Sequence, residues 1–187
     1  MGKDYTDEDL MLMYRDGDAS AFEILYDRHK GPIYRYILRH CGNSGIAEEL
    51  FQDVWLKLIN ARERYTVTAK FTTYLYRVTH NHLIDHFRKL QPVNPIDDEV
   101  QSDALASPVQ DQPDRRAELE QQTRLLLDAV ESLPMEQRRV FLLKEEAGMS
   151  ISEIADVLGE NAETVKSRMR YAVKKLRLVL GEIHDQR

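Results

Sequence analysis

The stretch QPVNPIDDEVQSDALASPVQDQPD, from Gln91 to Asp114, constrains this chain more than any other, because it supports neither helix nor sheet. It holds four of the six prolines and six acidic residues without one Lys or Arg. Proline removes a backbone donor and blocks a helix interior, and the few apolar residues here keep no sustained period. Whatever core the 187 residues build must therefore be built twice. The segment predicts a flexible, acidic, Pro-rich linker at 91–115 between domains at 1–90 and 116–187, each resting on a modest core.

Both flanks read as helices. Thr6 followed by Asp7, Glu8 and Asp9 is a helix start, with negative charge at the positive end of the dipole. From Ala19 onward Phe22, Leu25, Tyr26, His29, Ile33, Ile37 and Leu38 recur at helical spacing, and Gly31 with Pro32 predicts a kink or break. Gly42 to Gly45 predicts a turn. A third helix, from about Ile46 to Ala61, puts Leu50, Phe51, Val54 and Leu58 on one stripe and Glu48, Glu49, Gln52 and Asp53 on another. After the polar loop ARERYTVTAK comes a fourth, from about Thr72 to Lys89. Beyond the linker, an amphipathic segment from Arg115 to Glu131 stops at Ser132 and Leu133, and Pro134 opens the next helix. Ser150 and Glu153 stand at capping-box spacing. Gly159, Glu160 and Asn161 make a tight turn into a long basic helix from Ala162 to about Leu180. No stretch reads as a strand, so the fold class is all-α, in two small helical domains.

Composition is that of a globular chain, 42% hydrophobic and 31% charged. The lone Cys41 excludes an internal disulfide and a zinc site built on cysteine pairs. No apolar run approaches the roughly 20 residues that span a bilayer, and the start MGKDYTDEDL is acidic where a signal peptide is basic and then apolar. A cytoplasmic protein without membrane insertion is expected.

A net charge of −6 argues against nucleic acid until its distribution is examined. Ala61 to Leu90 carries six basic and two acidic residues, and so does Glu160 to Leu178. Two local basic surfaces therefore sit in an acidic chain. The second lies on the helix that follows the Gly-containing turn, which is the arrangement of a helix-turn-helix. Ile151, Ile154, Ala155, Leu158, Val165 and Met169 supply its small core, leaving Lys166, Ser167, Arg168 and Arg170 to point toward a major groove. A solvated basic helix in an ordinary bundle is the alternative that spacing and charge leave open.

These residues carry a resemblance. SLPMEQRRVFLLKEEAGMSISEIADVLGENAETVKSRMRYAVKKLR resembles region four of bacterial RNA polymerase sigma factors of the extracytoplasmic-function (ECF, group IV) type. AEELFQDVWLKL resembles the part of region two that docks on polymerase, and FTTYLYRVTHNHLIDHFRK its promoter-melting part. The chain departs from the family pattern at Ile46, Tyr74, Tyr171 and the turn Asn161 to Thr164, where Asp, Trp, Arg and Pro-x-Gly-Thr are usual. The resemblance implies a transcription initiation factor rather than an enzyme, with no cofactor and no small-molecule substrate. Its implied partners are core RNA polymerase (the β′ clamp helices and the β flap), promoter DNA and a controlling anti-sigma factor. Glu48, Glu49, Gln52, Asp53 and Trp55 are then the polymerase-binding residues. Arg62, Arg64, Tyr65, Lys70, Phe71, Tyr74, Arg77, Asn81 and Arg88 fall to the minus-ten element, and Thr164, Lys166, Ser167, Arg168, Arg170, Tyr171 and Lys174 to the minus-35 element. Phe141, Leu142 and Leu143 are placed around the flap tip or in the core.

Two other classes compete. THNHLIDHFRK, from Thr79 to Lys89, holds three of the six histidines, and His82 with His86 has the four-residue spacing of a helical zinc pair. Leu83, however, stands where the zincin signature needs a Glu. Asp85 is better placed to pair with Arg88 or Lys89. The other rival is a regulator that binds operators through its helix-turn-helix without polymerase, and only the N-terminal half separates it from a sigma factor.

Overall fold

The computed structural model describes residues 5–90 and 115–185. The first part contains α1 (Asp7–Arg15), α2 (Ala19–Cys41), α3 (Ser44–Ala61), a single 3-10 turn at Arg62–Arg64, and α4 (Phe71–Leu90). The second contains α5 (Arg115–Glu131), α6 (Met135–Glu145), α7 (Ile151–Leu158) and α8 (Ala162–Asp185). Among the described residues there is no strand. The linker expected at 91–115 lies outside the described residues except for Arg115, which opens α5.

Local chemistry explains the helix starts. Thr6 Oγ1 accepts the Asp9 amide at 3.2 Å, Asp18 Oδ1 the Ser20 amide at 3.0 Å, and Asn43 Oδ1 the Ile46 amide at 3.1 Å. Each satisfies an amide the helix itself cannot reach. At α7 the capping box is complete, with the Glu153 amide donating to Ser150 Oγ at 3.3 Å and the Ser150 amide to Glu153 Oε2 at 2.8 Å. Ser150→Ala is expected to cost about 1 kcal/mol. A thermal melt followed by circular dichroism checks this, and an unmoved midpoint would contradict it.

Of the kink or break expected at Gly31 and Pro32, the break does not occur, because Pro32 sits inside the continuous helix α2. Leu25, Ile33, Tyr36 and Ile37 lie on both sides of the proline and are all fully enclosed. Burial of such side chains contributes about 1.5–3 kcal/mol each, which together outweighs the roughly 3 kcal/mol of an interior proline. The helix ends where expected, at Gly42 with φ 64°, and Asn43 caps α3 immediately, so the predicted turn is shorter than the span to Gly45. Pro134 serves as the cap before α6 rather than as its first residue.

Helices α1 to α4 pack on one another around Met11, Leu25, Tyr36, Val54, Leu58, Phe71 and Leu75. In the second half α8 is the axis on which α5, α6 and α7 pack, through Val165, Ala172 and Leu176. The halves also meet, α4 against α7 and α2 against α6. No helix of the described residues is long and apolar enough to cross a membrane.

Candidate functional site

Amphipathicity positions the acidic surface. Leu50, Val54 and Leu58 turn one stripe of α3 into the core, which leaves Glu48, Glu49 and Gln52 exposed and Asp53 half-exposed on the opposite side. Trp55 does not reach this surface. It is 5% exposed and packs edge-on against Tyr26 and Phe22, with ring centroids 4.8 and 5.8 Å away. Its indole N–H is buried without a partner. Two features here escape the sequence patterns. Leu56 is 54% exposed, one turn beyond Asp53 and Gln52 on the same ribbon. Asp53 is held from α4 by His82, whose Nε2 lies 3.1 Å from Oδ2. Burial, followed by the nearby Lys57, keeps that imidazole below its ordinary pKa, and Asp53 opposes both.

The residues assigned to melted DNA divide into two groups. Phe71 is fully enclosed and Tyr65 5% exposed; the Phe71 ring packs on His29 and Tyr65, at 5.4 and 6.3 Å. Both side chains form core in this arrangement. Tyr74 is half-buried, edge-on to Tyr65 at 5.4 Å, and Arg62 lies over the Tyr14 ring at 5.7 Å. Arg64, Lys70, Arg77, Asn81 and Arg88 are exposed. Tyr74, Arg77, Asn81 and Arg88 recur at three-, four- and seven-residue intervals, so they line one side of α4. Lys70 Nζ lies 2.8 Å from Glu153 Oε1 of α7. That bond, followed by those from Ser150, pulls the Glu153 carboxyl down to about 2.

Among the described residues no three His, Cys, Asp or Glu side chains are grouped to hold a metal ion, the histidine stretch included. Asp85 accepts from Arg88 at 2.7 Å, as its spacing suggests, while His82 turns to Asp53. His80 is buried and faces α6, away from both. His82 and His80 therefore serve different neighbours, and His86 Nε2 is buried without a hydrogen-bond partner.

The second half is built as a helix-turn-helix. Gly159, at φ 67°, ends α7 in the left-handed conformation, and Asn161 Oδ1 caps α8 by accepting the Thr164 amide at 2.8 Å. Val165 is fully buried against α7, which turns Lys166, Arg170, Tyr171 and Lys174 outward. Thr164 and Ser167 are half-buried. Arg168, expected on the exposed start of the helix, is instead held between Glu160 and Glu136, at 3.1 and 3.2 Å, with its side chain 24% exposed. Neither glutamate is signalled by the helix-turn-helix pattern. Leu142 and Leu143 are fully buried core, and Phe141 is half-buried beside them.

Comparison with known proteins agrees with this architecture. The family model of Sigma-70 region 2 matches residues 25–92 and that of Sigma-70, region 4, residues 123–176. The RNA polymerase sigma factor CarQ of Myxococcus xanthus is 30% identical over 92% of this chain and 97% of its own length. The ECF RNA polymerase sigma factor SigL of Mycobacterium tuberculosis is 34% identical over 89% of this chain and 92% of its own. Among solved structures, CnrH in complex with the cytosolic domain of CnrY has a TM-score of 0.68 at 22% identity, covering 94% of this chain and 97% of that one. RpoE in complex with the anti-sigma factor NepR from Bartonella quintana has a TM-score of 0.67 at 18% identity, over 87% and 98%. Two displayed charged helices, a helix-turn-helix and full-length relatives agree, and the chain belongs to the extracytoplasmic-function RNA polymerase sigma factors, which direct promoter-specific transcription initiation.

Proposed function

We propose that this sigma factor docks on the β′ clamp helices of core RNA polymerase through Glu48, Glu49, Gln52 and Asp53 of α3, with Leu56 as an apolar contact beside them. It then touches promoter DNA in two places. Arg64, Lys70, Arg77, Asn81 and Arg88, with Tyr74, take the melted minus-ten strand, while Lys166, Arg170, Tyr171 and Lys174, with Thr164 and Ser167, take the minus-35 duplex. Opening DNA costs about 1.4 kcal/mol per base-pair step in stacking. Capture of unpaired bases by an aromatic, with basic residues along the backbone, offsets that cost.

One observation carries this reading. The acidic ribbon of α3 and the basic face of α8 are each backed by a buried apolar stripe, Leu50, Val54 and Leu58 in one and Val165, Ala172 and Leu176 in the other. Packing is thus satisfied from behind, and the charges are left for partners. Cytoplasmic action under an anti-sigma protein that covers these faces is part of the proposal, supported by the fold shared with CnrH and RpoE, both solved in complexes.

The decisive experiment adds the purified chain to core polymerase, selects bound promoter fragments and measures specific initiation. Arg170→Ala is the cleaner probe of promoter contact, because Arg168 is already engaged inside the protein. A loss of about 1–3 kcal/mol in promoter use is expected if it contacts a base, with affinity for core polymerase unchanged. No initiation on any promoter, together with no binding to core polymerase, would overturn the assignment.

A further inference from the structure

A carboxylate on the solvent side of a helix has a choice of positions, and on α3 that choice bears on what the acidic ribbon presents. The side chain of an aspartate has up to three staggered χ1 wells. Lys57, exposed and one turn on from Asp53, can also draw it along the helix by i,i+4 pairing. A carboxylate drawn to Lys57 offers a partner less charge. Asp53 is instead met from the neighbouring helix, where His82 of α4 places Nε2 3.1 Å from Oδ2.

Packing holds the donor in place. The His82 side chain is 15% exposed and that of Asp53 48%, so a largely enclosed imidazole meets a carboxylate that still faces solvent. Val54, next to Asp53, and Leu83, next to His82, are both buried, and α3 and α4 pack on each other. A carboxylate only accepts, so Nε2 carries the proton and donates. Burial, then Lys57, and more weakly His86 one turn on in α4, hold the imidazole below its ordinary pKa, while Asp53 opposes them. A neutral donor fixes the carboxylate without cancelling its charge, which a lysine or arginine at the same place would do.

We propose that His82 is a positioning residue for polymerase docking, donating from Nε2 to hold the Asp53 carboxylate in one orientation, still charged, on the ribbon that meets the clamp helices. This role rests on the docking surface proposed above. His82 belongs to the helix assigned to promoter DNA, yet its side chain serves the helix assigned to polymerase. Asn81, the residue before it, stays exposed for the DNA. With one competent well in three, freeing Asp53 weakens the apparent affinity for polymerase by about threefold.

The test titrates the full chain against core polymerase by fluorescence anisotropy at neutral pH, unaltered and as H82L, H82Q, D53A and H82L/D53A. Circular dichroism establishes that each form is folded at the assay temperature. Leucine fills the place of the imidazole without a donor, whereas glutamine restores an N–H at a similar reach. H82L should weaken binding about threefold, H82Q should match the unaltered chain, and H82L should add nothing to D53A. Unchanged affinity in H82L, or no recovery in H82Q, overturns the positioning role. So does an H82L loss that persists in full beside D53A, which would trace it to the packing of α4 on α3. In the free protein, NMR of the imidazole nitrogens reads the contact without polymerase, and the His82 signals should move in D53A. Signals that stay in place overturn the contact and the proposal with it. D53A binding as tightly as the unaltered chain overturns the docking surface at Asp53 and the role in docking, while moved signals would still show that His82 holds the carboxylate.

Discussion

Phe71→Ala should lower the stability of the protein by about 3–5 kcal/mol, the range for removing a large enclosed aromatic. Phe71 is fully buried at the first position of α4, and its ring touches His29 of α2 and Tyr65 of the preceding loop. Its own amide donates to Glu8 of α1 at 2.6 Å, so the residue joins three parts of the N-terminal bundle. Tyr74→Ala, one turn on and half-buried, should cost clearly less. Denaturant unfolding of both variants measures the difference. Equal, small losses would return Phe71 to the set of residues free to stack on a base, since a side chain presented to DNA contributes little to the folded core.

Much of the fold was legible because local and tertiary signals agree. Thr6, Ser150 with Glu153, Asn161 and Gly159 act at the helix ends where their chemistry places them. Where they conflict, the longer-range term wins. Pro32 is a strong local stop, yet the enclosed residues on either side hold α2 continuous. Periodicity also recovers which residues of α3 face inward, and with them the exposed acidic ribbon.

The site was legible only in part, because a residue type does not state its burial. Phe71, Tyr65 and Trp55 are the large aromatics that nucleic-acid recognition uses, but they are also those that a small four-helix bundle needs for its core. Arg168 shows the same ambiguity for charge. Its place early in a basic helix suggests DNA, while Glu136, thirty-two residues earlier, is brought beside it only by the packing of α6 on α8. Leu56 carries no distinguishing signal in the sequence, because an apolar residue on a helix first reads as core.

Stability should fall between pH 7.5 and pH 5.5, earlier than carboxylate titration explains. His40 of α2 and His80 of α4 are both buried. His40 Nδ1 lies 2.7 Å from the Tyr36 carbonyl, so it carries the proton and donates, leaving Nε2 enclosed without a partner. Arg138 and Arg139 of α6 face His40, with His80 beyond; Arg139 also faces His80. Burial first, and then these cations, push His40 down to about 3 and His80 to about 4. The unfolded chain takes up protons below about pH 6.5 that the folded chain refuses, so the stabilisation is complete above that pH and is lost progressively below it. At pH 5.5 the loss is about 1.4 kcal/mol per histidine and about 3 kcal/mol for the two. For a chain of this size that corresponds to a thermal midpoint lower by about 6–12 °C. Glu153 does not contribute here, because a carboxyl held near 2 loses its stabilisation only below its ordinary value of 4.5. Melts followed by circular dichroism at the two pH values read the effect, and His80→Gln should remove about half of it. A midpoint that stays level from pH 7.5 to 5.5 would show that neither imidazole is kept neutral by the packing of α6.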